Sequence, residues 1–431
     1  MNKYQVIIRD ILEAIENNSY KRGQKLPSIR KLSQEYDCSK DTVQKALLEL
    51  KYQNKIYAVE KSGYYVLEDQ AFKEEALELN PADFQELPYE DFRICLHESL
   101  IGRENYLFNY YHQQEGLAEL IASVQELLMN YHVYTKKDQL VITAGSQQAL
   151  YILTQMDFGP GKTDILLENP TYSRMLDLIQ HQHIPHQTIE RDFSGINLEK
   201  LEKIFQTGRI KFFYTIPRLH NPLGTTYDTE TKAAIVKLAQ KYKVYIVEDD
   251  YLADFDSSHS LPLHYLDTDQ RIIYIKSFTP TLFPALRIGA ISLPSQLKNA
   301  FITHKSLIDY DTNLIMQKAL SLYIDSGMFT RNTQNLHNVH HVQWSDMQEL
   351  VKNASLPLAY AISKGSVTFQ LAKGRLRPSI TKQITASSFF QGEEFDFLQL
   401  QYDSHFSTKL KVLKDIFEKR KSVKTYPHRF G

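Results

Sequence analysis

Cysteine is almost missing from this chain: Cys38 and Cys95 are the only two in 431 residues. Two cysteines cannot build a disulfide framework, and they fit a reducing cytoplasm. Glycine is scarce as well, 16 of 431, roughly 4% against a usual ~7%. No apolar run approaches the ~18 residues that a membrane-spanning helix needs. The opening MNKYQVIIRDILEAIE carries acids inside its apolar pattern and has no small-residue cleavage site, so it is not expected to be a secretory signal. An excess of one charge is missing too. Fifty Lys and Arg against 51 Asp and Glu leave a net charge of −1, so no global field points to a partner. What is present is ordinary for a globular protein: 42% hydrophobic and 23% charged residues. The length suits two or three domains, and the cytoplasm is the expected location.

The charge is unevenly placed. Residues 1–68 hold twelve basic and nine acidic side chains, whereas residues 69–91 hold eight acids and one lysine. A mildly basic head followed by an acidic, proline-containing stretch reads as a domain (1–68) and a linker (69–91), leaving a body over 92–431. In the head, Ile8, Ile11, Leu12 and Ile15 recur at helical spacing. Ser28 is placed to cap a second helix with Ile29, Leu32 and Tyr36 on its apolar face. Ser39 is placed to cap a third, with Val43, Ala46, Leu47 and Leu50 inward. Ile56–Val59 and Tyr64–Val66 flank Glu60-Lys61-Ser62-Gly63, a hairpin with glycine at its tip. Three helices and a hairpin describe a winged helix-turn-helix.

On that frame, Lys40, Thr42, Gln44 and Lys45 lie opposite the apolar stripe of the third helix, where they can reach phosphates and base edges of a major groove. Ser39 opens the same helix. Ser28 and Arg30 can hold the adjacent backbone, and Lys61 and Gly63 let the hairpin approach DNA. The competing reading is a solvated charged face. The words Leu26-Pro27-Ser28-Ile29-Arg30, Ser39-Lys40-Asp41-Thr42-Val43 and Gly63-Tyr64-Tyr65-Val66 resemble the GntR-type winged-helix head over about residues 3–67. The family usually has arginine at the position of Lys40. Lysine keeps the charge there and loses the bidentate fork.

Residues 92–431 alternate strand-like apolar runs with helical stretches, which predicts an α/β fold with a mostly parallel sheet. Polar words follow the runs, at the strand ends where ligands bind in such sheets. Gly145-Ser146-Gln147 enters a helix and can cradle a phosphate, with Ser277 and Arg287 adding a hydroxyl and a guanidinium fork. Asp249 can pair with a protonated ring nitrogen, Asn221 and Tyr251 can donate to a ring oxygen, and Tyr172 can stack on a ring face. Each of these residues alone is more often structural.

Together, the words Tyr111…Gly116-Leu117, Gly145–Leu150, Asn169-Pro170-Thr171-Tyr172, Asn221-Pro222-Leu223-Gly224, Glu248-Asp249-Asp250-Tyr251 and Thr281–Gly289 resemble fold-type I aminotransferases that bind pyridoxal phosphate. They resemble most closely the aminotransferase-like domain of MocR-type regulators, a GntR subfamily. The resemblance implies the ring and phosphate roles just given. It also implies that Tyr111 reaches the phosphate of a second subunit, hence a homodimer, often head-to-tail, on double-stranded operator DNA.

The family pattern breaks at three places. Its imine-forming lysine falls seven residues before the arginine of Leu-Arg-Ile-Gly, and here that position is Pro280, in Ser277-Phe278-Thr279-Pro280. Proline has no amine, so it can neither form the imine nor shuttle a proton. Lys276 is four residues upstream, roughly 13 Å of extended chain. Gln399 stands where the family's carboxylate-binding arginine is expected, with Arg375, Arg377 and Arg174 as displaced alternatives. Tyr111-His112-Gln113-Gln114 replaces Tyr-Gly-Asp-Pro. The expectation is a DNA-binding regulator with no catalytic residue and no covalent cofactor. Its degenerate sensor domain binds pyridoxal phosphate non-covalently or takes another small effector. A working aminotransferase fused to a DNA-binding head, and a purely structural dimer domain, are the alternatives. His337, His340 and His341 share a helix face, but no Cys or acid completes a metal site, so they read as surface or core residues, as do His181, His183 and His186. Cys38 reads as packing.

Overall fold

The computed structural model describes residues 3–17, 19–21, 24–52, 55–59, 63–66, 86–101, 113–256, 260–309, 311–375, 384 and 387–422. The chain divides into two units, Met1–Phe84 and Gln85–Gly431.

In the first unit, helices α1 (Lys3–Glu16), α2 (Ile29–Glu35) and α3 (Lys40–Tyr52) precede a hairpin of β1 (Ile56–Val59) and β2 (Gly63–Val66). The strands pair antiparallel with Val59 opposite Gly63. Leu26 N donates to Tyr64 O at 2.8 Å and Val66 N to Gln24 O at 3.0 Å, tying the α1–α2 connection to the hairpin. Leu32, Val43, Ala46, Leu47 and Leu50 are buried together with Leu26, Ile56 and Val66. Each fully buried aliphatic side chain contributes about 1.5–3 kcal/mol, so Leu47→Ala alone costs a unit this small about 2–5 kcal/mol. On α1 the deepest residues are Ile7 and Ile11, one turn apart. Ile8, Leu12 and Ile15, expected in the stripe, flank that pair and are half-buried.

The acidic linker expected over 69–91 is shorter than predicted. Helix α4 (Glu86–Glu98) begins inside it. The cause is packing: Phe92 and Cys95 are buried against Tyr323 and Phe329, and Asp91 pairs with Arg331. Residues 67–85 lie outside the described set.

The body carries β3 (Leu140–Thr143), β4 (Asp164–Asn169), β5 (His186–Asp192), β6 (Gly195–Ile196), β7 (Ile210–Thr215), β8 (Tyr245–Asp249), β9 (Ile272–Ser277) and β10 (Gly289–Ser292). They form one sheet in the order β3-β10-β9-β8-β7-β4-β5-β6. The pairings from β9 through β8, β7 and β4 to β5 are parallel, and β10 runs antiparallel between β3 and β9. Alternate residues feed opposite cores. Leu140 and Ile142 pack on one side and Val141 on the other, and Tyr274 opposes Ile273 and Ile275. Both faces are covered, which is why these strands read as unbroken apolar runs.

A second, antiparallel sheet follows: β11 (Ala359–Ser363), β12 (Ser366–Ala372), β13 (Ser387–Gln391) and β14 (Phe395–Gln401), in the order β11-β12-β14-β13. The long Met328–Ala354 helix packs Met347 and Val351 against it, with Leu410 and Leu413 of the Phe406–Ser422 helix. No helix of the described residues is long and apolar enough to cross a membrane.

Candidate functional site

In the head, the predicted caps form. Ser28 Oγ accepts from Lys31 N at 3.2 Å, and Ser39 Oγ accepts from Thr42 N at 3.2 Å and lies 2.9 Å from Thr42 Oγ1. Ser39 and Thr42 therefore fix the start of α3. Arg30, Lys40, Gln44 and Lys45 stand exposed around the α2 and α3 starts. Gly63 has φ +130°, a backbone state that favours glycine, and a Cβ there would sit 3.3 Å from Lys25 Cε. Lys61 lies outside the described residues. Cys38 packs half-buried against the head's core. In the body, burial pushes the Cys95 thiol up to about 11, which suppresses its reactivity.

In the body, a cavity of about 160 Å³ opens at the carboxyl edge of the parallel strands. Eight predicted residues line it: Gly145, Ser146, Gln147, Tyr172, Asp249, Tyr251, Ser277 and Arg287. Its cradle is built by close packing. Gly145 has φ +80° and caps the Ser146–Gln155 helix. Gly289 pairs with Thr143 and Ser277, and a Cβ on it would come within 3.1 Å of the Gly145 carbonyl carbon. A Cβ on Gly145 would in turn sit 3.5 Å from an Arg287 nitrogen. The helix N-terminus and the guanidinium thus share one spot, a ready anion site. Arg287 itself holds φ +51°, a left-handed state uncommon outside glycine.

In the same lining, Asp249 is buried at the end of β8. Its Oδ2 accepts from Tyr214 at 2.8 Å, while Oδ1 has no hydrogen-bond partner among the described residues. Burial pushes its carboxyl up to about 7, with Asp250 adding to the rise and the Tyr214 bond and Lys276 opposing it. Ser146 Oγ is also without a partner there. The cavity therefore offers both an anion cradle and a carboxylate oxygen without a partner among the described residues. Burial and the nearby Asp249 raise the Tyr172 and Tyr251 hydroxyls, keeping both protonated and able to donate.

Some of the expected residues lie elsewhere. Asn221 does not line the cavity; Ile216, just past β7, forms wall there instead. The 220–224 turn is pulled tight by Gly224 N donating to His220 O, and Gly224 packs on Ile362 and Ser363, which sets Asn221 in the turn. Tyr111 and Arg377 lie outside the described residues. Pro280 and Thr279 are part of the lining. Lys276 is not: it is fully buried, its Nζ donating to Asp254 Oδ2 at 2.6 Å and to Ser277 O at 2.9 Å. Gln399 donates to Pro222 O and Ser366 Oγ, both at 3.2 Å, so its amide fastens β14 to the Asn221-Pro222 turn. Arg375 is exposed beside Phe417. Sequence reasoning missed Tyr214, whose only signal is its place on a strand adjacent to β8. Among the described residues no group of three His, Cys, Asp or Glu could hold a metal.

Comparison with known proteins adds to this geometry. The family model "aminotransferase class I and II" matches residues 97–343, and "bacterial regulatory proteins, gntR family" matches residues 3–66. The uncharacterized HTH-type transcriptional regulator YcxD of Bacillus subtilis (strain 168) is 39% identical over 346 residues, covering 78% of this chain and 78% of its own. The uncharacterized HTH-type transcriptional regulator YjiR of Escherichia coli (strain K12) is 23% identical over 382 residues, 79% of each chain. Among solved structures, the multiple substrate aminotransferase of Thermococcus profundus superposes with a TM-score of 0.70 at 20% identity, covering 78% of this chain and 89% of that one. The alpha-aminoadipate aminotransferase LysN of Thermus thermophilus gives 0.68 at 21% identity, covering 79% and 91%. At such identities the superpositions speak for the fold alone.

Proposed function

We propose, for a chain that belongs to the gntR-family transcription regulators carrying a class I and II aminotransferase domain, that its head reads operator DNA under the control of a small molecule held non-covalently in its body. Arg30, Lys40, Gln44 and Lys45 are the contacts to phosphates and base edges, with Lys61 and Gly63 following from the hairpin. Such a regulator works in the cytoplasm, as a homodimer presenting two heads to two half-sites, with Tyr111 of one copy reaching the cavity of the other.

The ligand is pyridoxal phosphate or a close relative of it. When bound, that group supplies an electron-withdrawing pyridinium ring. The unpartnered Asp249 Oδ1 fits a ring N–H, and ionising against it offsets the cost of that carboxylate's burial. Backbone N–H groups at Gly145–Gln147, with Ser277 and Arg287, hold the phosphate. Tyr172 packs on the ring and Tyr251 donates to its oxygen.

One observation carries the loss of catalysis. The cavity wall at the expected lysine position is Pro280, and the neighbouring lysine's amine is bound to Asp254. The other amine beside that wall among the described residues, Lys364 Nζ, donates to the Pro280 carbonyl at 2.8 Å, and Lys364 is not part of the lining. The test is to add pyridoxal phosphate to the purified protein, reduce with borohydride and map the peptides. Binding without a modified lysine is expected. Modification at Lys276 would falsify the non-covalent reading, and absence of binding would remove the ligand. Gel shifts on the operator with and without the ligand test the regulatory step.

A further inference from the structure

Lys276 forms no part of the cavity lining, yet its charge is held beside it. The side chain is fully buried on β9. Its Nζ donates to Asp254 Oδ2 at 2.6 Å and to Ser277 O at 2.9 Å. It also stands 5.5 Å from the ring centre of Tyr131 and 5.4 Å from that of Phe278. A carboxylate, a carbonyl and two ring faces all favour an ammonium. Asp254 is fixed in turn, accepting from Tyr131 OH and Thr281 Oγ1. The cation is therefore pinned next to Ser277, whose side chain lines the cavity.

Asp249 needs such a charge. It ends β8 opposite Ile275, the residue before Lys276, and Asp250 N donates to Ile275 O at 3.0 Å. Tyr214, Tyr172 and Tyr251 stand around Asp249 as neutral donors. Asp250 is held by Arg218 Nε at 3.0 Å and by Tyr274 OH at 2.6 Å. Lys276 is the cation that acts on Asp249, opposing burial and Asp250. Ionising a carboxylate in so buried a place is costly without an opposing charge.

We propose that Lys276 is a positioning residue of this cavity: its ammonium, anchored by Asp254, keeps Asp249 charged, so that the cavity selects phosphate esters whose ring carries a protonated nitrogen. This rests on the pyridoxal phosphate reading and gives the lysine beside Pro280 an electrostatic task in place of a covalent one.

Two probes test it by calorimetry on the full chain. Pyridoxine 5′-phosphate has no aldehyde to form an imine, and benzyl phosphate has no ring nitrogen. Wild type should prefer the first. Lys276→Met should weaken pyridoxine phosphate at pH 7 by about three- to tenfold and benzyl phosphate by less than about twofold. A merely structural loss would weaken both alike. If that variant does not fold, Lys276→Met with Asp254→Asn removes the pair together, which a buried site tolerates better than the loss of one partner.

Ligand-free protein gives a second readout. The melting difference between wild type and Asp249→Asn should grow until pH reaches about 7, and in the Lys276→Met background it should go on growing to higher pH. Glu248, whose carboxyl is also pushed up by burial and Asp250, is present in every variant and cancels. Failure of pyridoxine phosphate to bind wild type overturns the ligand reading and the ring selection with it. Binding that Lys276→Met leaves unchanged, or weakens equally for both phosphates, overturns the role of Lys276 alone, as does a melting difference with an unaltered pH course.

Discussion

The head and the body solve opposite problems. The head keeps its working side chains in water and uses its short polar ones on backbone: Arg30, Lys40, Gln44 and Lys45 are exposed, while Ser28 and Ser39 cap helices. The body buries its working groups, and Asp249 sits in a cavity with one oxygen unpartnered among the described residues. Exposed contacts act almost independently, so losing one weakens binding by degrees. Buried polar groups are coupled, so removing one leaves its neighbours desolvated and unpaired.

The sharpest way to break that comparison is Pro280→Lys. A lysine on the cavity wall should turn a non-covalent pocket into one that borohydride traps on residue 280, read by peptide mass. Next in size is Asp249→Ala, expected to weaken pyridoxal phosphate by about 10- to 100-fold in a direct titration, the value of a hydrogen bond to a charged group. Its partner, Asp249→Asn, tests burial through pH. The folded carboxyl titrates at about 7, above a free carboxyl's ~3.9. Its stability contribution is thus present below about pH 4 and lost as pH rises to about 7. Ligand-free wild type should lose melting temperature relative to Asp249→Asn between pH 5 and 8, and a constant difference would contradict this.

The head should answer more mildly. Arg30→Ala should weaken operator binding across sequences and lower the salt slope by about 1, measured by anisotropy at several salt concentrations. Smallest is Ser28→Ala, which removes the α2 cap and should cost about 1 kcal/mol of head stability in denaturant unfolding. A loss of DNA affinity larger than that of Arg30→Ala would mean Ser28 touches DNA as well as the helix.

The same contrast explains what was legible. Helical spacing placed Val43, Ala46, Leu47 and Leu50 because a small unit has one inside and one outside. It missed the depth of Ile7, since α1 packs with a rotation that periodicity alone leaves open. In the body, motif words marked eight lining residues. They could not locate Asn221, whose position depends on how Gly224 and Gln399 dock the second sheet. Nor could spacing find Tyr214 beside Asp249, a contact made between strands. The reach of the acidic linker was misjudged because composition cannot see Phe92 and Cys95 turning inward.

The antiparallel insertion of β10 also sets an order of events. Gly289 must lie between Thr143 and Ser277 before the anion cradle exists. Those partners are far apart in sequence, so the cradle is among the last things the body can assemble, and loop closure over such a span is slow. The head closes on contacts within residues 3–66 and leaves synthesis before the body that follows it. A nascent chain can therefore carry a folded DNA-reading head well before it has any pocket through which a ligand could instruct it.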